Sequence, residues 1–384
     1  MKFTRHLNLL NLLDNKSFFL FGPRSTGKTS LINSQLKGSI IYDLLDAETF
    51  SRLARRPKII EEKYLSDVDN NIIVIDEIQK LPEILDEVHR LLNKYHLRFL
   101  LTGSSARKLR RGGVNLLAGR AWQAELFPLI YREIPDFDLL LYLNAGGLPH
   151  VYGNPMAKEE LRSYVHTYLQ EEIHNEALTK KLSSFTQLLD LIALSNGKEI
   201  NFQSLASDCG VSAVTLKNYI EILSDTLIGF VLPGYVKTKK RKAISRGKFY
   251  FFDIGVANTL SRAGEIYSGS ALFGNSFEHF ILLEVRAWNS YERKFHELTY
   301  WRSTTKFEVD LVIGDELALE IKSTELIQDK HLKGLRAFKE EGLVKEYMVV
   351  SQDQEERTTS DGIRILPWKK FLEKLWGDEI IGAG

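Results

Sequence analysis

Three groups of residues in this 384-residue chain have the types and spacing to do chemistry. The first is Gly22-Pro23-Arg24-Ser25-Thr26-Gly27-Lys28-Thr29-Ser30, a G-x-x-x-x-G-K-T phosphate-binding loop, or Walker A motif. Gly22 and Gly27 let the backbone turn its N–H groups around phosphate oxygens, and a helix opening near Lys28 adds its positive end. Lys28 would reach the β- and γ-phosphates of ATP, and the Thr29 hydroxyl would ligate Mg2+. The second group is Asp76-Glu77, a Walker B pair, with Asp76 placed to hold magnesium and Glu77 to polarise the attacking water. Thr102 or Ser104 can serve as a γ-phosphate sensor, or as ordinary hydroxyl turn chemistry. The third group is Glu278, Asp310, Glu320 and Lys322. Asp310 and Glu320, with Glu278, can hold one or two magnesium ions while Lys322 positions or activates a water.

Such side chains work only at the ends of correctly placed elements. Ser17 to Phe21 is an apolar run before the loop, and Leu31 to Leu36 reads as the helix after it. Ile72-Ile73-Val74-Ile75 is a continuous apolar stretch, the pattern of a central parallel strand buried on both faces. Arg98 to Ser105 predicts a third strand, ending in small hydroxyl residues and lying in space between the two motifs. Arg120 precedes another predicted strand, 121–126. It can act as an arginine finger toward a neighbouring subunit's nucleotide, or be a surface or ion-paired arginine. Residues 1–130 thus read as a P-loop ATPase core of α/β class.

Residues 131–181 predict a helical lid or connector, in which His166 and His174, eight apart, are structural. Residues 182–245 predict a winged helix-turn-helix: helices at 185–194 and 202–208, a Ser212-capped third helix to about 224, then strands 229–232 and 248–252. Between these strands lie Lys237, Lys239, Lys240, Arg241 and Lys242, with Arg246 and Lys248 beyond. Such charge at a hairpin tip suits a phosphate backbone, and also a solvated loop or an acidic protein partner. Thr215, Lys217 and Asn218 on the third helix suit backbone contact better than base reading. Residues 246–384 predict an α/β domain with a hairpin turned at Gly314-Asp315 and a closing helix from Trp368 to Trp376.

Lys and Arg total 51 against 50 Asp and Glu, so any attraction to nucleic acid must come from local patches. The lone cysteine, Cys209, excludes an internal disulfide and fits a reducing compartment. No stretch approaches the roughly 20 apolar residues that span a bilayer. A cytoplasmic protein with no membrane association is expected.

The P-loop, the Ile-Asp-Glu-Ile-Gln strand end, Leu-Thr-Gly-Ser-Ser (101–105) and Leu-Ala-Gly-Arg (117–120) resemble a prokaryotic group of AAA-superfamily ATPases. Leu-Phe-Pro-Leu (126–129), Gly-Gly-Leu-Pro (146–149) and Phe249-Tyr250-Phe251-Phe252-Asp253-Ile254-Gly255 extend the resemblance into a C-terminal domain of unknown function. Asp310 with Glu320-Ile321-Lys322 resembles the PD-(D/E)xK core of restriction endonucleases. That resemblance implies a nuclease-like fold, which relatives use either to cleave or only to bind. The leading expectation is an ATP- and Mg2+-dependent AAA ATPase that binds and remodels or moves duplex or structured DNA as a homo-oligomer, possibly a ring. The alternatives are an ATP-gated, metal-dependent nuclease in defence or repair, and a nucleotide-switched signalling or scaffold ATPase acting on a protein partner.

Overall fold

The computed structural model describes residues 3–66, 71–104, 107, 109, 117, 119–169 and 182–381. The chain divides into two compact units, residues 1–129 with 222–228, and residues 130–221 with 229–384. Lys108, Arg110, Arg111 and residues 170–181, including His174, lie outside the described residues.

The first unit runs α1 (Leu9–Asn15), β1 (Ser17–Phe21), α2 (Lys28–Gln35), β2 (Ile40–Asp43), α3 (Ala47–Arg55), α4 (Ile59–Leu65), β3 (Ile72–Asp76), α5 (Ile84–Lys94), β4 (Arg98–Gly103) and β5 (Ala121–Glu125). Its strands form one sheet in the order β2-β3-β4-β1-β5, with every neighbouring pair parallel. All five residues of β1 are buried, as are all of β3 except Ile72. Burial on both faces is why these strands read as unbroken apolar runs rather than as alternation. Because β4 lies between β1 and β3, the C-terminal ends of the three strands stand side by side. That edge is where parallel α/β sheets hold ligands.

The second unit contains α6 (Leu139–Ala145), α7 (Ala157–Ser163), α8 (Leu182–Leu194), α9 (Phe202–Asp208), and the start of α10 (Ala213–Asp225). Ser212 caps α10 by accepting from the Thr215 N–H at 3.1 Å. A two-stranded antiparallel ribbon follows, β6 (Gly229–Leu232) with β7 (Lys248–Phe251). After α11 (Ile254–Leu260) and α12 (Ala271–Tyr291) come β8 (Leu298–Arg302), β9 (Glu308–Ile313), β10 (Leu317–Ile321), α13 (Lys333–Lys339), β11 (Glu346–Ser351), β12 (Arg357–Thr358), β13 (Arg364–Pro367) and α14 (Trp368–Trp376). These six strands form a mixed sheet in the order β12-β13-β11-β10-β9-β8.

Two sequence motifs meet inside this unit. Asp253, buried, caps α11 through the Val256 N–H at 3.0 Å and accepts the Gly147 N–H at 2.7 Å. Gly146 has φ +74, and a Cβ there would lie 2.2 Å from Asp253 Oδ1. A Cβ at Gly255 would lie 2.3 Å from the Ala145 carbonyl oxygen. The spacing between α6 and α11 therefore admits only glycine on each side. Gly146→Ala should lower stability by about 2 kcal/mol or more, read as the urea midpoint, and an unchanged midpoint would contradict this packing.

Glu284 on α12 is buried, accepting from the Tyr131 N–H at 2.7 Å and from Trp376 Nε1 at 2.9 Å. Burial, with Glu133 nearby, pushes its carboxyl up to about 8. The folded state thus holds a proton that the unfolded chain releases near the ordinary value of 4.5. Its stabilising effect is full below that value and declines as pH rises toward 8. Urea unfolding should show stability falling from pH 5 to 8 by at most about 1.4 kcal/mol per unit from this group, with a shallower slope in Glu284→Gln.

Candidate nucleotide site and a second charged cluster

The phosphate-binding loop is built by close approach. Gly22 sits where a Cβ would lie 2.6 Å from the Leu126 carbonyl oxygen, and Leu126 donates its N–H to Phe21 at 2.7 Å. Thr26 is buried and its hydroxyl donates to the Pro23 carbonyl at 2.8 Å, closing the loop on itself. Ser25 (φ 64) and Gly27 (φ 95) adopt left-handed backbone, and α2 starts at once with Lys28. The Lys28 ammonium is buried, donating to the Gly22 carbonyl at 2.6 Å and the Pro23 carbonyl at 3.2 Å. Pro23 and Arg24 complete the loop, with Thr29 and Ser30 exposed on the first turn of α2.

Across the strand ends, Thr29 Oγ1 donates to Asp76 Oδ2 at 2.8 Å, and Thr102 Oγ1 donates to Asp76 Oδ1. The Glu77 N–H donates in turn to Thr102 Oγ1 at 3.2 Å. One carboxylate thus links the P-loop helix, β3 and β4. Glu77 is buried with φ 60, a left-handed conformation costly for a residue with a side chain and characteristic of functional turns. Its carboxylate accepts from Gln79 Nε2 at 2.5 Å, which also reaches Ser104 Oγ at 3.3 Å. Between the two candidate sensors, Thr102 touches the acid pair directly and Ser104 only through Gln79.

Arg120 is exposed at the start of β5, with Nε donating to Asn93 at 3.1 Å. Ala121 pairs with Ser17, whereas the loop follows Phe21, so Arg120 stands at the end of the sheet opposite its own P-loop. Two positioning groups escaped the sequence reading. Arg5 donates to the carbonyls of Thr26 at 2.5 Å and Phe127 at 2.6 Å, clamping the loop against the segment after β5. Gln79 is the other, and only its place two residues after Glu77 hinted at it.

The basic segment corrects the expectation of a projecting hairpin tip. Lys237 pairs with Glu297 at 3.1 Å, and Arg241 pairs with Glu340 at 2.6 Å. The N–H groups of Lys239, Lys240 and Arg241 all donate to the Glu341 carboxylate, at 2.9, 2.8 and 2.9 Å. The segment is laid along β8 and the end of α13 because acidic side chains there supply its counter-charges. Lys239, Lys242 and Arg246 keep exposed side chains. Lys248 does not belong to this patch at all: it is buried, with Nζ 2.7 Å from Glu308 and 3.5 Å from Glu278.

Around that lysine the structure gathers the C-terminal candidates. Asp310 and Glu320 are buried on β9 and β10, and Lys322 Nζ lies 2.6 Å from Glu320 Oε1 and 3.2 Å from Asp310 Oδ2. Asp310 Oδ2 also accepts the Ile321 N–H at 2.8 Å, while Glu278 accepts from the Tyr250 hydroxyl at 2.7 Å. Burial, then Asp310, hold the Glu320 carboxyl well above the carboxylate range. Burial alone would lower Lys322, but Asp310 and Glu320 outweigh it and keep the ammonium charged. Among the described residues, no three His, Cys, Asp or Glu side chains are placed to hold a metal ion.

The first unit's parallel sheet, glycine-framed loop and strand-end acid pair define a P-loop nucleotide-hydrolysing domain. Residues 14–135 match the family model described as AAA domain, which supports ATPase activity for this part of the chain. Residues 136–266 match Domain of unknown function (DUF8612), and residues 273–371 match Domain of unknown function (DUF4143). The uncharacterized protein MJ1544 of Methanocaldococcus jannaschii is 25% identical over 362 residues, covering 86% of this chain and 79% of that protein. The uncharacterized protein Rv2008c of Mycobacterium tuberculosis is 27% identical over 320 residues, covering 79% and 70%. Among solved structures, the replication initiator DnaA bound to AMPPCP and single-stranded DNA aligns with 58% of this chain and 89% of its own, at 14% identity and TM-score 0.28. A STAND protein with a tetratricopeptide repeat sensor from Pyrococcus horikoshii aligns with 74% and 47%, at 13% identity and TM-score 0.24. At such TM-scores neither likeness bears on this chain's function. No helix among the described residues is long and apolar enough to cross a membrane.

Thr102→Val keeps the shape but removes both hydrogen bonds that hold Asp76 and the Glu77 backbone. It should lower kcat for ATP about 10-fold or more while nucleotide affinity stays within roughly 3-fold. Equal loss of affinity and kcat would make Thr102 a binding residue instead.

Proposed function

We propose that this protein couples Mg2+-dependent ATP hydrolysis to the binding and remodelling or movement of DNA, working as a homo-oligomer. The observation that carries the ATPase half is the Thr29–Asp76–Thr102–Glu77 hydrogen-bond chain beside the P-loop. The loop fits ATP because its tightest point, at Gly22, has no room for a side chain and its buried ammonium donates to the Gly22 and Pro23 carbonyls of the loop itself. When bound, ATP supplies the phosphoanhydride that is cleaved and Mg2+ neutralises its charge. Gly22 to Ser30 would hold the phosphates, and Thr29 and Asp76 would hold the ion. Glu77, fixed by Gln79, would orient and polarise a water for attack, taking the proton as the bond to water forms. Arg120 faces away from its own P-loop, so any role as a finger belongs to a neighbouring subunit's site. A ring or another oligomer would bring it there.

The DNA half rests on the helices α8 to α10, the β6–β7 ribbon and the exposed side chains of Lys239, Lys242 and Arg246 between its strands. This is winged-helix order with basic side chains on the wing connection, suited to backbone phosphates rather than to base edges. The α12-β8-β9-β10-α13-β11 order, with Asp310 and Glu320 on adjacent strands and Lys322 directly after the second, supports a nuclease-like C-terminal domain used as a DNA-holding platform.

ATPase rate and DNA affinity, measured with duplex, single-stranded and four-way DNA across a salt series, test this directly. DNA should raise the rate, and affinity should fall steeply with salt. Reversing charge at Lys239, Lys242 and Arg246 together should cut the slope of log affinity against log salt by about 2–3. A rate and affinity indifferent to every DNA would overturn the DNA half and leave a protein partner as the substrate.

A further inference from the structure

The carboxylates of Glu278, Glu308, Asp310 and Glu320 come from α12, β9 and β10, and a nuclease-like reading would give them a divalent ion. Lysine side chains face them. Lys322 follows directly on the strand that carries Glu320, but Lys248 arrives from the ribbon, as the first residue of β7. Its side chain is 5% exposed, with Nζ 2.7 Å from Glu308 Oε1, 3.5 Å from Glu278 Oε1 and 4.9 Å from the centre of the Tyr300 ring. Two residues along the same face of β7, Tyr250 donates to that same Glu278 oxygen at 2.7 Å. The third acid is therefore engaged by β7 from two positions. Lys248 and Lys322 bring two positive charges to the cluster, and Arg302 Nε lies 3.7 Å from Glu308 Oε2.

We propose that Lys248 is the chain's own counter-cation for this cluster, standing in place of a divalent metal, so that the C-terminal domain is a metal-free platform rather than a metal-dependent nuclease. The chemistry differs in kind. An ammonium neutralises carboxylates and donates hydrogen bonds, but it does not lower the pKa of a bound water as a metal ion does, so no hydroxide nucleophile is generated. The acids as they stand agree: no three among the described residues are set to hold an ion. The buried Glu320 Oε2 has no hydrogen-bond partner, so it is an acceptor that a cation could still take.

The test is Mn2+ titration of the full-length, nucleotide-free protein, followed by the electron paramagnetic resonance of free Mn2+. Asp310→Asn serves as the control for this site against ions bound elsewhere. Wild type and Asp310→Asn should bind Mn2+ alike. Lys248→Met should gain one Mn2+ site that wild type lacks, and Asp310→Asn in the same chain should remove it. Lys248→Arg, which keeps the charge, should gain none. Wild-type Mn2+ binding that Asp310→Asn abolishes would overturn the proposal, as would a folded Lys248→Met with no new site. Should Lys248→Met fail to fold, the comparison of wild type with Asp310→Asn decides by itself.

Discussion

Asp76 is the point through which the first unit is held together for its chemistry. Its two oxygens accept from hydroxyls on two other segments, Thr29 on α2 and Thr102 on β4. This is possible only because β4 is inserted between β1 and β3, which brings three strand ends within reach of one carboxylate. Buried and mutually polarised, such bonds are stronger than the same groups would make in water. Glu77 depends on the arrangement as well, since its left-handed backbone is fixed by its N–H bond to the same threonine.

The second unit shows the same economy of buried charge with different partners. Asp253 is compensated by main-chain N–H groups, and burial still pushes its carboxyl up to about 6. Glu284 is compensated by one N–H and an indole, and stays protonated to higher pH. At the Asp310 and Glu320 cluster whole ammonium groups are brought in, and one of them comes from the two-stranded ribbon. Removing one partner of such a buried pair costs more than the pair contributes, because the other charge is left uncompensated. The cluster therefore fastens the ribbon to the C-terminal sheet whatever else it does.

What could be read from the sequence divides along the same physical line. The P-loop and the apolar runs ending at Asp76 and Thr102 were legible because phosphate binding and burial on both sheet faces restrict residue type at every position. Of the strand order, only the place of β4 between β1 and β3 was expected, and β2 was not read at all. The helices and strands of residues 182–252 were legible from periodicity and from the Ser212 cap. Arg5 was not, because a side chain that reaches carbonyls 21 and 122 residues away leaves no local pattern, and Gln79 was not, because a lone glutamine two residues after Glu77 is no signature of the bond it makes. The basic segment was legible as charge, but its partners Glu340 and Glu341 lie about a hundred residues on. Lys248 was grouped with that patch by proximity in sequence, while the strand turned it inward toward the acids.

The central claim is that Glu77 activates water at a nucleotide site assembled on Asp76. Its most direct test is single-turnover ATP hydrolysis by Glu77→Gln beside measured ATP affinity. The account predicts affinity within roughly 3-fold of wild type and hydrolysis slowed about 100-fold or more. Hydrolysis at the wild-type rate in a variant that binds ATP normally would contradict it.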